Sequence, residues 1–368
     1  MGHDAPHGTT PTRRRMRTLL GGAVPVLLLA TAVSIDHIPG TDISLTVPYA
    51  AEGPGPTVDT LGKVDGVDVV QVDKTGDGDL NVEQPSGQLN MTTVSVRTNM
   101  SLAQVIGRWA TTDDTIVPID SVIPQDQTQE EVNEANQQAF TQSESAATIA
   151  AMDYLGEPVH IVVAGVVDSS PAKGVLEEED VITKVDGRAV TEPQQAQDII
   201  RAKKPGDEVE ITWTRDGSES TQTVTLAVNP DDSSVPMLGI LMSSEPDTDI
   251  DVTYNLQDIG GPSAGMMFTL AVIDKLSPGD LTGNHFVAGT GTISEDGTVG
   301  PIGGIVHKVR AARDAGAELF LAPAENCAEA VSRDTGDMVI AAVSNLQDAV
   351  DAMHAFATGG EVTTCQAG

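Results

Sequence analysis

The residues with the most chemical promise are Ser263, in Gly260-Gly261-Pro262-Ser263-Ala264-Gly265, and Lys308, in Gly300-Pro301-Ile302-Gly303-Gly304-Ile305-Val306-His307-Lys308. A serine on a glycine-flanked turn that opens a helix presents its hydroxyl, and a lysine made neutral by apolar surroundings can take that hydroxyl's proton. Such a pair can attack an acyl carbon, and peptide-bond hydrolysis is the candidate reaction. Each residue alone has a plainer reading: serine is a preferred N-cap, and lysines commonly snorkel from amphipathic helices. Elimination ties the two together. Only Lys275 and Lys308 lie beyond residue 240, and Lys275, far along the helix that Ser263 would open, is roughly 18 Å away at the helical rise.

These side chains need particular elements to hold them. Asp249 to Tyr254 alternates as a strand and runs by a short loop into Gly260 and Gly261. Ala264 to Leu276 has the composition of a buried helix, which Pro278-Gly279 ends. Ser263 therefore falls at a helix N-terminus, where unpaired N–H groups and the helix dipole favour an oxyanion. Gly260 and Gly261 are supporting residues there, with the N–H groups of Gly260 and Ser263 as candidate donors. A helix over Ile305 to Ala315 puts Lys308 on a stripe with Ile305, Val309 and Ala312, and sets His307 with Arg310 and Asp314 on the polar side. An ordinary lysine is neutral about once in 2,500 molecules at pH 7, and burial lowers its pKa by several units.

The remainder of the chain speaks to placement. The uncharged stretch Thr18 to Ile35 follows Arg13, Arg14, Arg15 and Arg17 and, as a helix, reaches roughly 27 Å, sufficient for a bilayer with the arginines cytoplasmic. A cleaved signal is the rival, since Ala30-Thr31-Ala32 suits a cleavage site and Thr12-Arg13-Arg14 suits a twin-arginine signal. The run continues through Val33 and Ile35, which favours an uncleaved anchor. Either reading puts the bulk of the chain outside the cytoplasm. With 54 acidic against 20 basic residues and a net charge of −34, nucleic acid is disfavoured as a partner. In an oxidising compartment Cys327 and Cys365 either pair, tying the C-terminal tail to the last domain, or stay as one buried and one idle thiol.

Pro48 to Val58 is Pro/Gly-rich, as in a linker or turn-rich domain entry, and β-type runs follow at Val67 to Val72 and Leu89 to Val96. Asp113 to Gln142 reads as a loop and the start of a solvated helix, and Ser143 to Leu155 as a helix stopped by Gly156. Asp73 to Gln84 has the alternating oxygens of a calcium loop, but Gln84 stands where a bidentate glutamate is needed, so an acidic surface turn is the better reading. No cofactor or metal is expected.

From His160 to about Val228 the pattern becomes a compact β-rich unit. Its Ser169-Ser170-Pro171-Ala172 turn, its Asp180-Val181-Ile182 strand start and its Arg215-Asp216-Gly217 hairpin resemble a PDZ domain of bacterial envelope proteases. The resemblance implies a sheet edge to which an extended peptide adds as a strand, with its carboxylate held by backbone N–H groups; Leu155 to Val159 is the nearest candidate for that loop.

Asp249 to Pro323 resembles the proteolytic domain of Lon proteases, whose nucleophile lies in Gly-Pro-Ser-Ala-Gly and whose lysine follows Pro-Ile-Gly-Gly. The resemblance implies Ser263 as nucleophile, Lys308 as base, and Thr290, in Val287 to Ile293, as a partner orienting one of them. Gly260 stands where the family commonly has an aspartate. Gly87 to Thr93 and Ser143 to Ala147 resemble two elements that precede the nucleophile strand in Lon, so the PDZ-like unit is expected to be inserted within the protease fold. No Gly-x-x-x-x-Gly-Lys-Ser/Thr loop occurs, so the ATPase module of Lon is not expected.

The whole resembles the membrane-anchored PDZ and Lon-like proteases of the YlbL type. The expected fold is α+β: a cytoplasmic basic N-terminus (1–17), a transmembrane anchor (18–35), a linker with the first part of the protease region (36–157), a PDZ-like domain (158–235), a Lon-like proteolytic domain (236–357) and a tail (358–368). The expected function is ATP-independent serine endopeptidase action on protein or peptide substrates at the cell membrane. The alternative is an anchored PDZ adaptor whose protease-like domain is inactive. The resemblance also allows a homo-oligomeric ring.

Overall fold

The computed structural model describes residues 33, 35–41, 43–74, 82, 85–256 and 259–367. All of the expected anchor but Val33 and Ile35, and most of the acidic turn at 73–84, lie outside the described residues. Among the described residues no helix is long and apolar enough to cross a membrane.

In chain order the principal elements are β1 (Tyr49–Asp59), β2 (Val70–Lys74), β3 (Gln88–Arg97), α1 (Leu102–Thr111), β4 (Thr115–Pro118), α2 (Gln129–Leu155), β5 (Val159–Val166) and β6 (Val181–Val185). There follow α3 (Pro193–Arg201), β7 (Glu208–Arg215), β8 (Ser218–Thr225), β9 (Ile240–Pro246), β10 (Ile250–Tyr254), α4 (Gly265–Leu276) and β11 (Phe286–Gly289). The chain closes with β12 (Thr292–Ile293), β13 (Val299–Gly300), α5 (Ile305–Ala315), β14 (Leu319–Pro323), β15 (Val339–Val343) and α6 (Leu346–Thr358). They divide into two compact units.

The smaller unit comprises residues up to 56 and 93–133. Its first strand segment pairs antiparallel with β4, Tyr49 opposite Pro118 and Glu52 opposite Thr115. A tight hairpin closes where His37 bridges antiparallel to Ser44 and the Leu45 N–H donates to the Asp36 carbonyl at 2.7 Å. Helix α1 has a reciprocal cap: Ser101 and Gln104 satisfy each other's backbone N–H groups.

The larger unit, 57–92 and 134–368, is organised on parallel strands in the order β15-β14-β11-β3. Their side chains alternate between two apolar clusters, as pleating requires. Val287, Leu319, Leu321 and Ala341 join the cluster around α4, whereas Ala288, Phe320, Ala322 and Ile340 join the one around α5. Covering both faces with helices is the usual condition of a parallel sheet. Helix α4 is buried from Gly265 to Lys275, so its sequence is apolar nearly all round. Its cluster includes Leu89, Met91, Phe140 and Met152 from before the β-rich unit and Met266, Phe268 and Leu321 from after it. One core is thus built from two stretches of chain. Helix α2 begins earlier than the apolar spacing predicts, because Thr128 and Glu131 exchange bonds with each other's N–H groups and start it; the preceding segment also holds strand β4 rather than loop alone.

Between those stretches lies a sheet in the order β8-β7-β6-β5-β9, with antiparallel pairs. Ile161, Ile182, Ile211 and Trp213 pack in its core with Ala196 and Ile200 of α3. Strand β5 is flanked by β6 and β9, so the strand that follows Leu155 to Val159 has no open edge. The expected position of the carboxylate loop is therefore corrected: the terminal strands are β8 and β9, and β9 is entered through Leu238 and Gly239, the latter at φ +81°. Helix α3 packs beside it.

Cys327 and Cys365 form a disulfide. It holds the tail along β15, where the Cys365 N–H donates to the Ile340 carbonyl and the Ala342 N–H to the Thr363 carbonyl, both at 2.9 Å.

Candidate active site

Strand β10 pairs with β2 from Ile250–Lys74 to Tyr254–Val70 and delivers the chain to the glycine turn. Gly261 adopts φ +87°, a conformation that side chains with a Cβ resist, and its N–H donates to the Asn136 carbonyl at 2.8 Å. The next carbonyl, of Pro262, accepts from the buried Ser143 hydroxyl at 3.0 Å. The Ser263 carbonyl accepts twice at 2.9 Å, from the Gly291 N–H and from the Thr290 hydroxyl. These bonds hold the turn from two directions, α2 on one side and the residues after β11 on the other. Gly265 must be glycine for a different reason: a Cβ there would lie 2.6 Å from Ser143 Oγ and 2.7 Å from Ile293 Cγ2. Ala264 is the N-cap of α4, so Ser263 stands just outside the helix with its hydroxyl unconstrained by capping.

Helix α5 supplies the lysine. The turn before it is pinned by Asn326, whose side chain accepts from the Ile302 N–H at 2.9 Å and donates to the Ile302 carbonyl at 3.0 Å. Lys308 is 3% exposed. Its Nζ donates to Ser263 Oγ at 2.7 Å and to Thr290 Oγ1 at 2.9 Å. Thr290 Oγ1 therefore accepts from the lysine while donating to the Ser263 carbonyl, which uses a hydroxyl's capacity in both directions. Burial lowers the Lys308 pKa to about 8, because the ammonium loses hydration. At that value about one lysine in ten is neutral at pH 7.

The structure brings Ser263, Lys308 and Thr290 together, 45 and 18 residues being the separations bridged. Gly260 is exposed at the mouth of the turn, and Gly261 is committed to Asn136. His307 is a correction: it is 1% exposed rather than on a polar face. The buried arc of α5 takes in His307, Lys308 and Ala311 as well as Ile305, Val309 and Ala312, wider than the stripe that periodicity marks. Ser143, Asn136 and Asn326 escaped notice as positioning residues. Ser143 carried a signal only through its neighbourhood; the two asparagines bond to distant backbone and carry none. Beside Ser143, the half-buried Glu144 carboxyl is pushed up to about 7 by burial.

Two family models match parts of the chain. The Lon protease (S16) C-terminal proteolytic domain family matches residues 242–356, and the PDZ domain family matches residues 113–226. A Lon protease of Phenylobacterium zucineum is 36% identical over 133 residues, 36% of this chain and 16% of that protein. Lon protease 2 of Bacillus subtilis is 33% identical over 107 residues, 28% of this chain and 19% of that protein. The chain thus spans less than a fifth of the length of these relatives. Among solved structures, the PDZ domain of the SdrC-like protein of Listeria monocytogenes is 31% identical, covering 22% of this chain and 85% of that one, with a TM-score of 0.21. A Geobacillus thermodenitrificans protein structure is 29% identical over 22% of this chain and 94% of its own, also at 0.21. The chain carries a PDZ domain and a Lon-type C-terminal proteolytic domain.

Proposed function

We propose that the chain is an ATP-independent serine endopeptidase in which Ser263 is the nucleophile and Lys308 the general base. The observation that carries this reading is the 2.7 Å approach of a buried lysine to the serine hydroxyl. Neutral Lys308 takes the proton from Ser263 Oγ as Oγ bonds to the peptide carbonyl carbon. The oxyanion so formed falls to the N–H groups of Gly260 and Ser263, since that of Gly261 is engaged. On collapse the C–N bond breaks and the Lys308 ammonium gives its proton to the leaving amine. Lys308, neutral again, then takes a proton from water, which attacks the ester; expulsion of Oγ returns Ser263 and releases the acid. Thr290 fixes the amine's direction throughout.

Strand β9 is the natural acceptor for a substrate or regulatory peptide. Its outer edge has no strand partner among the described residues, α3 packs beside it, and an extended chain can add there by backbone bonds. The uncharged N-terminal run supports placing the protein at a membrane, with the proteolytic domain outside the cytoplasm.

The test is digestion of an unfolded protein by the wild type, Ser263→Ala and Lys308→Ala. Loss of cleavage in both variants with folding intact is expected. Equal cleavage by all three removes the dyad, and no cleavage by the folded wild type leaves the adaptor reading.

A further inference from the structure

Helix α1 is built inside out. Leu102, Ile106 and Trp109 recur at the spacing of one helical face, yet they are 42%, 54% and 73% exposed. The polar residue Arg108 instead turns away from that face to pair with Asp114, whose side chain is nearly buried. No residue of the helix is buried, so an apolar stripe that would ordinarily meet a core is left open.

We propose that this face lies in the headgroup layer of a lipid bilayer, resting on the membrane placement proposed above. The path of the chain favours lipid as the occupant. The uncharged run ends at Ile35; the next residue, Asp36, opens the hairpin that closes on Leu45. From there Thr46 bridges to Ser101, the residue that caps α1, and the Val47 N–H donates to the Met100 carbonyl at 2.9 Å. The end of the proposed anchor is therefore one hairpin away from the start of the exposed helix. That hairpin adds two more exposed apolar side chains, Ile38 and Ile43.

Size and charge point the same way. Three side chains on a helix of 10 residues fall well short of the roughly 800 Å² per partner of a stable protein interface. They suit shallow insertion, where an apolar helix face sinks about 5–10 Å into the headgroup boundary and tryptophan is favoured. In a chain of net charge −34, α1 contains no acidic residue, so it is a segment that approaches a lipid surface with little repulsion. The lipid chemistry that fits is a zwitterionic headgroup, with apolar insertion rather than charge providing the attachment.

The chain has two tryptophans, and Trp213 lies in the core of the β-rich unit, so Trp109 can be made the sole reporter by Trp213→Phe. The full chain is reconstituted with phosphatidylcholine vesicles, plain or brominated in the acyl chains, and floated on a density gradient. Expected are co-flotation, a roughly two-fold or greater loss of Trp109 emission with brominated lipid as befits interfacial burial, and protection from aqueous iodide. Wild type compared with Trp109→Phe gives the same reading if Trp213→Phe folds poorly. Co-flotation with unquenched, iodide-accessible Trp109 overturns the inference alone. Trp109 shielded from both quenchers assigns the face to a second copy and also overturns it. Failure to float overturns the membrane placement together with the inference.

Discussion

Replacing Lys308 by methionine separates what this residue does for chemistry from what it costs the fold. The ordinary lysine value is 10.5 and burial brings it to about 8. Each pH unit corresponds to about 1.4 kcal/mol, so protonated Lys308 weakens the folded state by about 3 kcal/mol. The sign follows from proton counts. Below the folded value both states carry the proton and the full penalty applies. Between about 8 and 10.5 the unfolded chain binds more protons than the folded one, so stability rises with pH until the penalty has gone. Lys308→Met keeps much of the side-chain volume and carries no proton. It should therefore exceed the wild type by up to about 3 kcal/mol at pH 7, with the advantage shrinking through about pH 8 to 10.5. Urea unfolding of both proteins across this range reads the difference directly. Catalysis must report the same ionisation: kcat/KM for a fluorogenic peptide should climb about tenfold per unit below about pH 7.5 and level above about 8.5. A methionine variant less stable than wild type at pH 7, or an advantage independent of pH, refutes the buried-amine argument.

Three further outcomes are expected. Thr290→Val, which removes the acceptor of the Lys308 bond and one donor to the Ser263 carbonyl, should lower kcat about 10- to 100-fold with KM unchanged, and Thr290→Ser should restore it; equal kcat for valine and threonine removes the orienting role. Opening the Cys327–Cys365 bridge, which closes a separation of 38 residues, should cost up to about 4 kcal/mol in urea titrations with and without reductant, and unchanged midpoints would contradict that loop-closure estimate. A fragment of residues 240–368 should be insoluble or molten, because Leu89, Met91, Phe140 and Met152 of the shared core are then missing; a cooperative thermal transition from that fragment would show those residues to be dispensable.

Much of the site was legible because its groups sit in local strings with local reasons. The turn at Gly261, the apolar helix after Ser263 and the lysine on a helix of small and branched residues each announce themselves within a dozen positions. What joins them does not. The bond from Ser143 to the Pro262 carbonyl spans 119 residues, and that of Asn326 to Ile302 spans 24; an isolated serine or asparagine looks the same whether or not it meets such a carbonyl. The misreading of His307 has a related cause. Periodicity marks the strongest apolar stripe, whereas α5 packs over a wider arc and buries a histidine beside the lysine. The peptide edge was misplaced because a strand's neighbours, and hence whether its edge is open, depend on where β9 returns after the β-rich unit. The resemblance to Lon at Gly87 to Thr93 was, by contrast, a useful long-range signal: it pointed to β3, the strand that pairs in parallel with β11.

The tail bonded along β15 has a consequence for the behaviour of the protein in bulk. β15 ends the strand order, and without the backbone groups of Thr363 and Cys365 its outer side would be an open template for another chain. The Cys327–Cys365 bridge keeps that short segment seated, so it acts as a sewn selvedge on the sheet. Exposure to a reducing medium, or clipping after Gly360, would then show first as slow self-association through β15 while Ser263 and Lys308 still stand in register.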